Sequence, residues 1–320
     1  MNSLRCAAAL AVLGSSILLP ACNRNHQKVI AVIPKGVADL FWQTVHAGAV
    51  KAGRESNVEI AWNGAPNETD ISTELQILES MINRRVDAIA LAPSDREAFS
   101  NTVNRAVRSN IPVVVFDSGI STDRYVSFIA TDNYAAGQLA GDRMGEILKG
   151  KGNIIMVKTT PGGASTTARE DGFRSVIRAK FPGIHILDER FGKAVVATSL
   201  DVTENMLTAH PNVDGIFASN ESGTTGAMQA LKSRGQKIKL VGFDWSPRTL
   251  DALEKGLIDS LVIQDPFRMG YEAVNTCLKA TTKQSVPKQI NLPPRLITQT
   301  NLNEPDVQDQ VKPDLDKYLK

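Results

Sequence analysis

The sequence predicts an α/β protein made of two similar lobes, each with a parallel sheet covered by helices on both faces. Three observations predict it. Short β-branched runs alternate with segments of helical period along most of the 320 residues, the pattern of strand, crossover helix and parallel strand. Two pairs of segments recur at one offset: VDAIALAPSD at 86–95 matches VDGIFASNES at 213–222, and IPVVVFDS at 111–118 matches IKLVGFDW at 238–245. Asp87 stands 30 residues before Asp117, and Asp214 stands 30 before Asp244, so whole units are repeated. In each unit an apolar strand ends on a carboxylate, Asp117 or Asp244.

The elements follow in order. Residues 1–21 carry one basic residue, Arg5, an apolar run from Ala7 to Leu19, and small residues before Cys22. This reads as an export signal, because a run of about 13 residues is short of the roughly 20 that span a bilayer. LPAC at 19–22 resembles a bacterial lipobox, in which Cys22 is lipidated and becomes the mature N-terminus; Pro20 departs from that pattern. Residues 22–28 are a tether. Strands are expected at Val29–Ile33, Val58–Trp62, Ala88–Leu91 and Val113–Phe116, and again at Ile154–Val157, Ile184–Leu187, Gly215–Ala218, Leu240–Phe243 and Ser260–Ile263. Asn110 before Ile111-Pro112 and His210 before Pro211 stop helices. The second lobe starts near residue 132. The segment 303–320, polar and punctuated by proline, is expected to pack loosely, with room for a short helix around Asp314–Leu319.

Composition places limits on function. With 42% apolar and 22% charged residues, the chain is globular and long enough for two domains. Its net charge of +2 falls to +1 once Arg5 leaves with the signal, which steers it to neither nucleic acid nor an anionic surface. Of three cysteines, Cys6 leaves with the signal and Cys22 is acylated, so Cys277 has no disulfide partner and reads as a core thiol on the apolar side of a helix. His26, His46, His185 and His210 show no metal-ligand spacing, and Gly162-Gly163 lacks the rest of a phosphate-binding motif. No cofactor and no metal are expected.

The strand-end residues define a candidate site. In open parallel sheets, ligands sit beyond the carboxyl ends of the strands, where Asp117, Asn220 and Asp244 fall. Thr167-Ala-Arg-Glu170 has capping-box spacing, which would put Arg169 in a first helical turn at the same edge. The loop after the first strand adds Asp39, Phe41 and Trp42. Carboxylates accept from vicinal hydroxyls, Arg and amides donate to sugar oxygens, and aromatic rings cover apolar ring faces. Three acids against one Arg favour a neutral polyol over an anion.

At this point the chain resembles a type I periplasmic substrate-binding protein of sugar ABC importers, in the ribose-binding group. The resemblance covers about residues 28–300 and rests on FW at 41–42, ATDN at 130–133, GDRM at 141–144, REDGF at 169–173, LTAHP at 207–211, FASNE at 217–221, VGFD at 241–244 and IQDP at 263–266. It implies two Rossmann-like lobes joined by a three-crossing hinge near Thr131-Asp132, Gln264-Asp265 and Asn291-Leu292. The N-terminal lobe would then hold 29–131 plus 265–291, and the C-terminal lobe 132–264 plus 292–302. Ligand contacts carried over by motif are Asp39, Phe41, Trp42, Asp117, Arg169, Asn220, Phe243, Asp244 and Gln264. Asp39 stands where the ribose binder has Asn, Ser118 where it has Arg, and Ala194 where it has an aromatic, with Phe191 close by. These departures change the hydrogen-bond pattern, so the resemblance carries over the sugar class but not ribose as its identity. The resemblance implies a monosaccharide ligand, an ABC permease as partner and a monomer held at the membrane through Cys22.

Three other readings share parts of this pattern. A glycoside hydrolase could use paired carboxylates, but Asp117 and Asp244 sit at equivalent places of a duplicated unit, as duplicated binding requires. A sugar-responsive repressor needs a helix-turn-helix before Val29 and no export signal. A sugar sensor read by a membrane receptor shares every feature above.

Overall fold

The alternating pattern resolves into two sheets, as predicted. The computed structural model describes residues 27–234 and 238–320; the export signal, Cys22, His26 and most of the tether lie outside the described residues. The first lobe runs β1 (Val29–Ile33), α1 (Leu40–Ser56), β2 (Glu59–Trp62), α2 (Ile71–Asn83), β3 (Ala88–Leu91), α3 (Ser100–Arg108), β4 (Val113–Phe116) and β5 (Ser127–Thr131). The second runs α4 (Asn133–Ile147), β6 (Lys151–Lys158), α5 (Ala164–Lys180), β7 (Gly183–Phe191), α6 (Val196–Ala209), β8 (Gly215–Ala218), α7 (Glu221–Arg234), β9 (Lys239–Phe243), α8 (Pro247–Glu254) and β10 (Ser260–Ile263). The chain finishes through α9 (Pro266–Thr281), β11 (Gln289–Leu292), β12 (Arg295–Thr298), α10 (Pro305–Val311) and α11 (Asp316–Leu319).

The two sheets have the same plan. Their orders are β11-β5-β4-β3-β1-β2 and β12-β10-β9-β8-β6-β7, so each strand of one has a counterpart in the other. Central strands such as VVVF in β4 and GIFA in β8 are buried at every position because helices cover both faces. The sheets differ at one edge, where β11 joins β5 in parallel and β12 joins β10 antiparallel.

Glycines let the flanking helices meet at backbone distance. A Cβ on Gly48 of α1 would lie 1.9 Å from the Phe267 carbonyl oxygen, and one on Gly137 of α4 would lie 2.0 Å from that of Arg169. Gly270 and Gly172 make the reciprocal approaches, to Val45 and Tyr134. The contacts α1–α9 and α4–α5 thus fix the helices that carry the site.

The chain passes between the two sheets at three places. Asp132 and Asp265 each cap the helix entered at a crossing, accepting from the N–H of Ala135 and Arg268, and Thr131 Oγ1 donates to Gln264 Oε1 at 2.8 Å. The third crossing lies slightly later than Asn291-Leu292: Leu292 still pairs with Thr131 in the first sheet, and Pro293-Pro294, which cannot donate to a ladder, makes the change.

The segment 303–320 corrects the expectation of loose packing. Val307 and Val311 are fully buried in the second lobe's core with Leu302; their spacing of four puts them on one helical face. Gln310 Nε2 donates to the Gln264 carbonyl at the hinge. Beyond it, the Lys317 and Tyr318 carbonyls accept from Arg54 of α1, and the Tyr318 ring meets Phe267 of α9 at 5.5 Å. The chain end therefore spans both lobes.

Candidate functional site

The site is built on two equivalent strand ends. Asp117 follows β4 and Asp244 follows β9, both in the left-handed region at φ 58° and 61°, which Asp tolerates better than most residues. Each is pinned in the same way: the Asp117 N–H donates to the Ile129 carbonyl and the Asp244 N–H to Val262, both at 2.9 Å. Both carboxylates line the cleft between the lobes.

Their partners differ. Lys35, two residues past β1, places Nζ 2.6 Å from Asp117 Oδ2 and also donates to Ser165 Oγ across the cleft. Asp244 accepts from Gln264 Nε2 at 2.8 Å and lies 3.7 Å from Arg169 NH1. Arg169 is itself held by Nε donating to Asn133 Oδ1 and NH1 donating to the Ser219 carbonyl, with its guanidinium 4.6 Å above the Phe243 ring. Burial pushes the Asp244 carboxyl above its ordinary range, against the pull of Arg169 and Gln264.

Aromatic and amide groups complete the wall. Trp42 is packed edge-on against Phe41 at 4.9 Å and donates Nε1–H to Glu68 Oε1. Burial raises the Glu68 carboxyl, with Lys35 opposing. Asn220 spends its Oδ1 on the Gly223 N–H, so toward a ligand its side chain is a donor. Gln264 uses both ends of its amide, linking Thr131 to Asp244.

Most of the expected residues come together. Asp39, Phe41, Trp42, Asp117, Arg169, Asn220, Asp244 and Gln264 line one narrow cavity between the lobes. Phe243 and Ser118 do not line it: Phe243 is fully buried as the platform beneath Arg169, and Ser118 Oγ accepts the Ser165 N–H across the lobes. Ala194 and Phe191 also lie away from the cavity, and Lys158 sits over the Phe191 ring. Arg169 stands in the second turn of α5, because the helix begins at Ala164 rather than at the Thr167–Glu170 spacing; the Glu170 carboxylate instead accepts from the Thr159 N–H and Ser219 Oγ. Trp245, next to Asp244, belongs to the second lobe's core, since adjacent side chains after a strand face opposite ways.

Sequence reasoning missed Lys35, Glu68, Ser165, Thr166 and Glu221, which also line the cavity. One signal was available for Lys35: it lies just beyond the first strand, at the edge where Asp117 emerges, and supplies the cation absent at Ser118. The cavity thus holds five acids and two cations, a balance that turns away anionic ligands and accepts hydroxyl donors.

Two α/β lobes with facing strand-end carboxylates over a polar cavity define a two-lobe ligand-binding protein. The chain belongs to the family described as periplasmic binding protein domain, whose model matches residues 30–285, a family of binding proteins rather than enzymes. It is 29% identical to the ribose import binding protein RbsB of Haemophilus influenzae over 91% of this chain and 99% of that protein. Among solved structures, a carbohydrate transporter solute-binding protein of Agrobacterium radiobacter in complex with D-arabinose matches with a TM-score of 0.88 and 31% identity, over 90% of this chain and 99% of that one. An ABC transporter solute-binding protein of Agrobacterium vitis with bound D-fucose matches with a TM-score of 0.86 and 34% identity, over 89% and 100%.

Proposed function

We propose that this protein is the extracytoplasmic sugar-binding component of an ABC importer, closing its lobes around one neutral pentose or hexose and delivering it to a membrane permease. The observation that carries this reading is the facing pair Asp117 and Asp244, each beside a cation, in a cavity walled by Phe41 and Trp42. The carboxylates accept from ring hydroxyls, Arg169 and Asn220 donate to sugar oxygens, and Phe41 and Trp42 cover the apolar face. Ligand favours the closed form because only that form contacts it from both lobes. D-Arabinose and D-fucose, found in the similar structures, set the class of sugar to test. Membrane attachment through a lipid on Cys22 and a monomeric state belong to the same proposal; Cys22→Ser should release the protein from the membrane fraction.

The test is a thermal-shift and tryptophan-fluorescence screen against pentoses, hexoses, deoxysugars and polyols. A sugar at about 1,000 times its dissociation constant adds roughly 4 kcal/mol to stability, several degrees in midpoint. A shift in both signals with one or two sugars supports the proposal. Silence across the panel, from folded protein free of copurified sugar, rejects it.

A further inference from the structure

At the mouth of the cleft one helix takes its cap from the opposite lobe. Asp39 occupies the N-cap of α1 with extended backbone, φ −78° and ψ 151°, yet its side chain makes no bond to its own helix. Its Oδ2 instead accepts from Ser222 Oγ in the first turn of α7, at 2.8 Å across the lobes. The N–H groups it leaves at Leu40 and Phe41 donate to the Glu221 carboxylate, at 3.3 and 2.9 Å. Glu221 is free to cross because the start of α7 is already capped by Asn220. The helix served by Glu221 is the one that carries Phe41 and Trp42.

We propose that Asp39 and Glu221 form a proton-linked latch: the cleft closes by placing Glu221 as the cap of α1 and Asp39 against Ser222, takes up protons as it closes, and holds its ligand more tightly in acidic than in alkaline medium. The inference rests on the closure reading above and adds a regulation that reading does not contain. The charged surroundings favour protonation. Glu68 from the first lobe and Asp244 from the second face the pair, while Lys35 is engaged by Asp117, and Arg169 is held by Asn133 and Ser219 with Asp244 beside it. Burial, then the charges of Glu68 and Asp244, pushes Asp39 up to about 7 against the Ser222 bond; burial, then the charges of Asp39 and Asp244, pushes Glu221 up to about 8.

The direction follows from linkage. Opening the cleft returns both groups to water and toward ordinary carboxylate behaviour, so the closed form binds more protons than the open form. Closure is therefore favoured below these values and weakens as pH rises through about 7 to 8. A protonated Glu221 keeps a carbonyl oxygen that accepts the Phe41 N–H, so the proton, drawn from solvent, neutralises the repulsion without breaking the cap.

Small-angle X-ray scattering and calorimetry at pH 5.5 and 8.5 test the latch, with D-arabinose, D-fucose and D-ribose as probes. The wild type should be more closed at pH 5.5, and the dissociation constant of a binding sugar should rise about tenfold by pH 8.5, with proton uptake visible in buffers of different ionisation enthalpy. Glu221→Gln and Asp39→Asn, each first shown to be folded by its unfolding midpoint, should flatten the response, because the amide keeps an acceptor oxygen but takes up no proton. A flat wild-type response, or one undiminished in both variants, overturns the latch. If none of the three sugars binds at either pH while wild-type scattering alone tracks pH, the latch stands and the ligand is none of these three sugars.

Discussion

The two lobes share a sheet order, a left-handed aspartate at the end of the fourth strand, and a glycine-mediated helix crossing, yet they neutralise that aspartate differently. In the first lobe Asp117 meets the ammonium of Lys35, which stands just past β1, two strands away in the sheet. In the second, Asp244 meets a glutamine amide and a guanidinium locked by two further hydrogen bonds over Phe243. A flexible stem with one point charge can follow a ligand, whereas a planar fork held at three places cannot. The lesson is that duplication supplied the scaffold and the acids, while the cations were supplied separately. The second lobe is thus the preorganised half of the site, and the first the adjustable half.

The comparison can be broken most severely at Arg169. Arg169→Ala strands Asp244 in a buried position and should weaken sugar binding by about 3 kcal/mol or more, over a hundredfold by calorimetry. The glycine crossings come next. Gly137→Ala and Gly48→Ala both push a methyl into a carbonyl oxygen and should each destabilise by about 2 to 3 kcal/mol in denaturant unfolding; only Gly137→Ala, whose clash is with the Arg169 backbone, should also lower affinity in protein that remains folded. Lys35→Met keeps the stem and removes the charge, and the adjustable lobe should respond with a smaller loss than Arg169→Ala, about 2 kcal/mol. Equal losses at Lys35 and Arg169 would erase the distinction between the halves. The smallest effect belongs to the chain end: Val307→Ala should cost about 1 kcal/mol of stability with little change in affinity, since the valine packs in the second lobe's core away from the cavity.

Legibility in the sequence followed burial. β1, β3, β4, β8 and β10 occur where the apolar runs predicted them, because strands covered on both faces read as continuous runs. β5, β11 and β12 (SFIAT, QINL and RLIT) carry polar residues and lie toward or at one sheet edge, so they leave no such run. Val307 and Val311 were hidden by the polar, proline-marked composition around them. In the site, Asp117 and Asp244 were visible through the repeat, since equivalent strand ends need no knowledge of the opposing lobe. Glu221 was not, for its role exists only across the cleft: on its own helix it is an acid in a first turn, and only the folded chain shows it capping α1.

In the proposed function one sugar is held between the two strand-end aspartates. The most direct test is a crystal structure of the protein with whichever sugar first raises its unfolding midpoint. Sugar hydroxyls are expected within about 2.5 to 3.0 Å of both Asp117 and Asp244 carboxylates, with Trp42 against the ring. A sugar bound outside this cleft, or touching only one of the two aspartates, would contradict it.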